Sequence, residues 1–503
     1  MIRRLVLLIA LCVPLLATEP NAATRRWWSY VTALANDGME GRDTGSEGYK
    51  RAARYVSAEF ERLGLQPAGE KGYFQSVPMR KIKLNTAQSE VALERKSGAH
   101  PLAWLREITM AAASGLPARL SAPLIFHGSA PEPPAGLDVK GKILVRLSAP
   151  VGAPARAQTP PVPKGVAGTL GIDNLDGPER RRWPAAYVVS VALDGAPAPP
   201  DRIPALSLNP AVAEEVFQGS GHTYAELKKL YDAGQPLPWF EIPATLRATL
   251  VWETSAIESD NILGVLPGSD PVLKNEYVVV SAHLDGYGFG EPIHGDGLYN
   301  GAFDDAAYVA TLLDLAAQWK SSATKLRRSI LFAVVTGEEK GLLGSRYYSA
   351  HTTIPVDRMI ANINLDQLRP LFPLKLLTML AVDDSTLGDT ARAVAAQMGI
   401  EIQADPEPDR NLLRRSDHIN FMRSGVPATG FIFGYRKGSP EEVIYRRWYA
   451  DRYHSPSDDL NQPWDPEAAA KFNDFFRRMV ETVANADGRP KWKPGSKLAP
   501  AAR

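Results

Sequence analysis

A chain of 503 residues exceeds what a single hydrophobic core serves, so two compact units are expected, one interrupted by the other. Its 57 Lys and Arg nearly cancel its 56 Asp and Glu, which removes any electrostatic reason to expect nucleic acid as a partner. The single cysteine, Cys12, excludes a disulfide framework and leaves core packing and bound metal as sources of stability.

In chain order, Arg3-Arg4, an apolar run from Leu5 to Leu16 and the small residues Ala17 and Ala22-Ala23 read as a signal peptide over residues 1–23. A short membrane anchor competes, but the run falls short of the ~20 residues a spanning helix needs. Lipidation at Cys12 is opposed by the bulky Leu11 before it. The expectation is export, to a periplasm or out of the cell, with no stable membrane span after cleavage. Nothing in the sequence specifies an oligomeric state.

Ser46 to Leu63 has Ala52, Ala53, Val56, Phe60 and Leu63 at helical spacing, a polar start at Ser46 and Gly64 as a stop. It falls in a segment, 24–117, assigned to the first part of the larger unit. From 118 to 255 the texture changes to short β-like runs such as Lys142 to Leu147, separated by Pro150, Pro154, Pro160, Pro161 and Pro163. This reads as a β-rich inserted module with a long loop. Residues 256–487 then alternate strands (Tyr277 to Ser281, Ile330 to Val335, Met359 to Leu365, Leu374 to Ala381, Ala428 to Phe433) with helices. The helices are marked by Val309, Leu312, Leu313 and Ala316, by Thr386 to Met398 and by Pro466 to Val483. Such alternation predicts an α/β fold, a mixed central β-sheet flanked by helices on both faces, with 488–503 as a tail. No internal repeat and no long low-complexity block is visible.

Candidate chemistry gathers where these strands end, the edge at which open α/β sheets bind ligands. His283 and Asp285 follow the first strand; an imidazole there suits a metal and a nearby carboxylate suits orienting it, although a loop histidine beside a solvated acid has the same pattern. Asp304-Asp305 precede a helix, where acids also act as caps; the functional reading makes Asp304 a carboxylate shared by two cations. Glu338-Glu339 follow a buried strand, and crowded like charges call for cations or protons. One glutamate then serves as ligand while the other takes a proton from water, against the alternative of a solvated turn. Asp366 ends another strand, where a buried acid needs a partner. His454 lies in a turn-rich loop.

Taken together, the His-x-Asp, the Asp-Asp after Gly-Ala, the Glu-Glu, the later Asp and the final His resemble peptidase family M28, zinc-dependent exopeptidases. The likeness runs from about Asn261 to Val483, with support from Met39 to Gly45 and from Arg415-Ser416-Asp417-His418. The resemblance implies a zinc exopeptidase fold with two zinc ions, one held by His283, Asp304 and Asp366 and the other by Asp304, Glu339 and His454. It makes Glu338 the general base and Asp285 the partner that orients His283; such ligands also accept cobalt or manganese. The inserted module resembles a protease-associated (PA) domain through Asp138 to Val145 and Ile203 to Leu208, a match that implies control of substrate access or simply packing.

Four positions depart from the family pattern. Tyr308 stands where glycine is frequent and Gly286 where a larger residue is frequent. No tyrosine immediately precedes Ser416, so an oxyanion-stabilising tyrosine is not transferable, and His294 offers a rival imidazole. The leading expectation is an exported metallo-aminopeptidase acting on peptides. A carboxypeptidase or a one-zinc glutaminyl-cyclase-like enzyme on the same fold, and a catalytically inactive binding protein, remain as alternatives. Gly337, Gly341 and Gly344 lack the Gly-Lys-Ser/Thr ending of a phosphate loop, which discounts a nucleotide enzyme.

Overall fold

The computed structural model describes residues 20–149, 161–176, 182–197, 202–322, 324–366 and 369–500. The signal peptide expected over 1–23, with Cys12, lies outside them except for residues 20–23, as do Pro150, Pro154 and Pro160 of the expected long loop.

A large mixed sheet organises the chain. From edge to edge its strands are Glu401–Gln403, Leu376–Met379, Ala428–Phe433, Met359–Asn364, Tyr277–His283, Ser329–Val335, Trp252–Leu266, Phe74–Leu84 and Val189–Leu193, with Gln66–Pro67 paired beside Trp252–Leu266. Tyr277–His283 is central and runs parallel to both Ser329–Val335 and Met359–Asn364, and the latter runs parallel to Ala428–Phe433. Their carboxyl ends therefore open on one edge. These strands are near-continuous apolar runs because both faces are covered. Side chains alternate across the sheet: Val278, Val280, Ile330, Phe332 and Val334 enter one core, and Val279, Leu331, Ala333 and Val335 the other.

The expected helices form with the ends their sequences dictate. Helix Glu47–Leu63 starts where the Ser46 side chain accepts the Tyr49 amide, and stops at Gly64 in the left-handed conformation at φ 82°. Helix Ala307–Ser321 is buried along most of its length. Helix Pro466–Asn485 has Asp465 as cap, proline in its first turn, and Phe472, Phe476, Met479 and Val483 facing the core. No described helix is long and apolar enough to cross a membrane.

A second sheet has its own core, in which Leu93, Leu124, Phe126, Ile143, Leu170 and Leu246 are buried. Its order is Gly98–Pro101, Glu90–Arg95, Phe240–Thr249, Arg119–Phe126, Ile143–Leu147, Gly168–Ile172, Ala205–Leu208 and Ile108–Met110. This sheet begins at Glu90, ahead of the change of texture at residue 118. The reason is visible in Glu90–Arg95, whose Glu, Ala, Leu and Arg carry no β-branched signal apart from Val91. Conversely, Val189–Leu193 lies inside the expected insert yet pairs with Phe74–Leu84 in the large sheet. The long antiparallel pair Phe74–Leu84 and Trp252–Leu266 links the two cores, with Leu84 in the second and Ile262 in the first. Residues 488–500 pack back on the body: Trp492 donates to the Gly425 carbonyl at 3.0 Å and Arg489 pairs with Glu276 at 2.9 Å.

Candidate metal centre

The shared edge of the parallel strands collects the sequence-selected residues. His283 is the last residue of its strand, and its register partner on the neighbouring strand is Val335, three residues before Glu338. Asp366 lies just past Met359–Asn364. Asp304 arrives from a tight turn, Ala302–Ala306, with a cis Asp304–Asp305 peptide, and His454 from the loop after helix Pro440–Asp451 at φ 53°.

Around Asp304 the two imidazoles stand on opposite oxygens. His283 Nε2 is 3.3 Å from Asp304 Oδ1 and 3.8 Å from Asp366 Oδ1. His454 Nε2 is 3.3 Å from Asp304 Oδ2 and 3.3 Å from Glu339 Oε2. His283, Asp304 and Glu339 also form a ligand group whose atoms lie within 4.8 Å of one another. Meanwhile His283 Nε2, Asp304 Oδ2, Glu339 Oε1 and Asp366 Oδ1 are buried and have no hydrogen-bond partner. Buried polar atoms are nearly always satisfied, so four convergent exceptions among nitrogen and oxygen donors fit cations, and this donor set suits zinc.

The surrounding contacts set the geometry. Asp285 behaves differently from the role implied by resemblance: its backbone carbonyl, at 3.0 Å, meets His283 Nδ1, whereas its carboxylate oxygen is 3.8 Å away. That carboxylate instead accepts the Glu338 amide at 3.0 Å, the Glu339 amide at 3.3 Å and the Thr44 hydroxyl at 3.0 Å. Being wholly buried, it is satisfied by whichever donors reach it, and the two amides of the glutamate turn do. Asp458 holds the Asp304 turn by accepting the Phe303 amide at 2.9 Å and the Asp304 amide at 3.0 Å. Arg42, fully buried, donates to the carbonyls of Leu284, Leu34, Asn300 and Gly301 and so clamps the His283 and Asp304 segments together. Burial lowers its pKa to about 10, with Asp458 and Asp285 opposing.

Electrostatics separates the carboxylates. Burial raises the Glu338 carboxyl well above the usual range, His283 opposes it, and Asp366 and Glu339 add to it. Burial also raises Glu339, against His454. Burial would raise Asp304 too, but the two histidines outweigh it and hold Asp304 low. Burial pulls His454 down, yet Glu339 and Asp304 bring it to about 9.

A cavity of about 460 Å³ opens on these groups. Leu380, Leu412, Phe431 and Ile432 supply apolar wall, Tyr287 and Tyr453 flank His454, and Arg414, Arg415 and Arg423 line it as well. The departures from the family pattern acquire reasons. Gly286 packs so close to the Gly41 carbonyl that a Cβ would sit 2.8 Å from it. Tyr308 is fully buried and packs on Phe472 at a ring distance of 5.5 Å. His294 is exposed in the turn between Gly288–Ile293 and Asp296–Tyr299, and among the described residues no contact ties it to the site. Sequence reading passed over Arg42, Tyr287, Lys340 and Asp458. Lys340 directly follows the glutamate pair and Asp458 lies four residues after His454, so proximity to a motif was the one available signal.

Residues 261–480 match the family model of peptidase family M28. Over that stretch, somewhat under half of the chain, the protein is similar to peptidase family M28. Among curated proteins it is similar to leupeptin-inactivating enzyme 1 of Streptomyces exfoliatus, 25% identical over 291 residues covering 55% of this chain and 61% of that protein. It is also similar to aminopeptidase YwaD of Bacillus subtilis (strain 168), 24% identical over 237 residues and 46% of each chain. The chain thus spans less than two thirds of these relatives. Two solved structures share the fold over most of both chains. An aminopeptidase from Aneurinibacillus sp. strain AM-1 aligns with TM-score 0.59 and 18% identity over 95% of this chain and 96% of that one. The zinc aminopeptidase BSAP from Bacillus subtilis aligns with TM-score 0.57 and 19% identity over 96% and 98%.

Proposed function

We propose that the protein is an exported di-zinc aminopeptidase that removes residues from the N-termini of peptides. The observation that carries this reading is the placement of Asp304 between two histidines, amid buried donor atoms with no hydrogen-bond partner. His283, Asp304 and Asp366 would hold one zinc, and Asp304, Glu339 and His454 the other. Zinc bound there supplies Lewis acidity toward the scissile carbonyl and the attacking water. Glu338, its backbone held by Asp285 and its carboxyl raised by burial, takes the proton from the attacking water and returns it to the leaving amine. The apolar wall of Leu380, Phe431 and Ile432 receives the side chain of the residue removed.

The second sheet is read as a PA-like module that shapes access to the cavity, and the Arg3-Arg4 and Leu5 to Leu16 leader supports export. The similarity to aminopeptidase YwaD and to the zinc aminopeptidase BSAP supports the activity. The decisive experiment titrates zinc into metal-free protein while assaying free and N-blocked peptides. Hydrolysis of free peptides saturating at two equivalents is expected, and cleavage of N-blocked peptides alone would overturn the aminopeptidase assignment.

A further inference from the structure

Behind His454 lies a half-buried aromatic and cationic stack that the proposed chemistry leaves unused. The Tyr287 hydroxyl is 2.8 Å from His454 Nδ1, and its ring packs on the imidazole at 4.5 Å. On its other side Tyr287 stacks on Tyr187 at 5.7 Å. Lys340 Nζ sits over both rings, 5.0 Å from the centre of Tyr187 and 4.9 Å from that of Tyr287. Its ammonium donates to the Tyr187 hydroxyl at 2.6 Å, lies 3.0 Å from Asp43 Oδ1 and 3.4 Å from the Gly286 carbonyl. The Lys340 side chain is 4% exposed. An ammonium so buried is costly unless compensated, and Asp43 with two ring faces compensates it.

The direction of the hydrogen bonds follows from the ligand role. For His454 Nε2 to offer its lone pair to a cation that Asp304 and Glu339 would also hold, the ring proton must sit on Nδ1, and the acceptor within reach is the Tyr287 oxygen. Resting on the metal-centre reading above, we propose that Tyr287 is the positioning residue of His454, and that Lys340 and Tyr187 hold Tyr287 in place. Tyr187 lies two residues before Val189–Leu193, the edge strand of the large sheet that the chain forms between second-sheet strands Gly168–Ile172 and Ala205–Leu208, so this connection between the two sheets supports the His454 side of the centre. Arg182 of the same segment donates to the Tyr453 carbonyl at 3.2 Å and the Ala450 carbonyl at 3.0 Å, tying the His454 loop to the same arm.

The test is zinc affinity of the full-length protein, measured by competition with a chromophoric chelator, beside thermal unfolding of the metal-free form. Tyr287→Phe keeps the ring and should weaken one class of zinc site by roughly 10–100-fold, the usual effect of removing a partner of a ligating histidine. Lys340→Met and Tyr187→Ala should weaken the same class, Tyr187→Phe should do so less, and Lys340→Arg should restore part of the loss. Wild-type zinc affinity in Tyr287→Phe and Lys340→Met would overturn the proposal, as would a lowered melting temperature of the metal-free form without a change in affinity. If the wild-type protein itself binds no zinc, the metal-centre reading fails first, and that result is distinguishable from either.

Discussion

Glu338 and Glu339 are indistinguishable as letters, and only their surroundings assign them different work. Both line the cavity and burial raises both, but Glu339 Oε2 stands 3.3 Å from His454 Nε2, whereas Glu338 is the one raised well above the usual range. Glu338→Gln should therefore keep its zinc and lose roughly 10²–10⁴-fold in turnover, as removal of a general base does; metal analysis beside kcat checks this, and near-normal turnover would refute the role. A second residue, His418, yields a pH prediction. Its Nε2 lies 2.8 Å from the Leu413 carbonyl, and burial pushes its pKa from 6.5 down to about 4. The folded state thus prefers the neutral ring. Its contribution is complete above the unfolded value and is lost as pH falls from 6.5 toward 4, a total of about 3 kcal/mol. Wild-type stability in urea should decline over that window, and His418→Phe should flatten the decline while costing stability at pH 8. Of the five metal-ligand candidates, His283, Glu339 and Asp366 stood out at or just past strand ends, whereas Asp304, in a turn before a helix, and His454, in a loop after one, stood out through the family resemblance. Their supporting partners were not: Thr44 reaches Asp285 across 241 positions and Tyr287 reaches His454 across 167, separations that no local pattern encodes.

Turns and caps place the side chains, so small changes in elements should register at the site. Gly344, in the first turn of helix Leu343–Ala350, presses on the end of the strand that leads to the glutamates. A Cβ there would lie 2.3 Å from the Thr336 carbonyl and 2.4 Å from Asn261 Oδ1. Gly344→Ala should cost about 1–3 kcal/mol of stability through overpacking and shift the glutamate turn, which denaturant unfolding and zinc affinity would report together. Asp458→Ala strips the acceptor from the amides of Phe303 and Asp304, and each buried amide left unpaired costs about 1–3 kcal/mol. Loss of both stability and zinc binding is expected, whereas a stable variant with unchanged zinc affinity would show that Asp304 is held by other means. Elements with strong periodicity or β-branched runs, such as Glu47–Leu63 and Tyr277–His283, were readable from the chain. The hairpin Glu90–Arg95 with Gly98–Pro101 was not, because its first strand is rich in helix-favouring residues, whose propensity sheet pairing overrides, and its second is only four residues long.

At the scale of the whole molecule, the packed layers on both faces of the large sheet form one unit that carries the candidate metal centre, while a separate core fills the smaller sheet. A chain of 503 residues with two such cores has no reason to unfold in one step. The link between them is a strand pair, Phe74–Leu84 with Trp252–Leu266, reinforced near the site by Tyr187 and Arg182. Zinc bound by buried groups that converge only in the folded state stabilises that state by mass action, about 2.7 kcal/mol at one hundred times its dissociation constant. For a unit of 150–250 residues each kcal/mol is worth about 2–4 °C. Calorimetry should accordingly resolve two transitions, with chelation lowering that of the larger core by roughly 5–10 °C and that of the second core by much less. Equal shifts would mean that the strand pair merges the cores into one cooperative unit. No shift would mean that the converging donors around Asp304 hold no metal that matters to the fold.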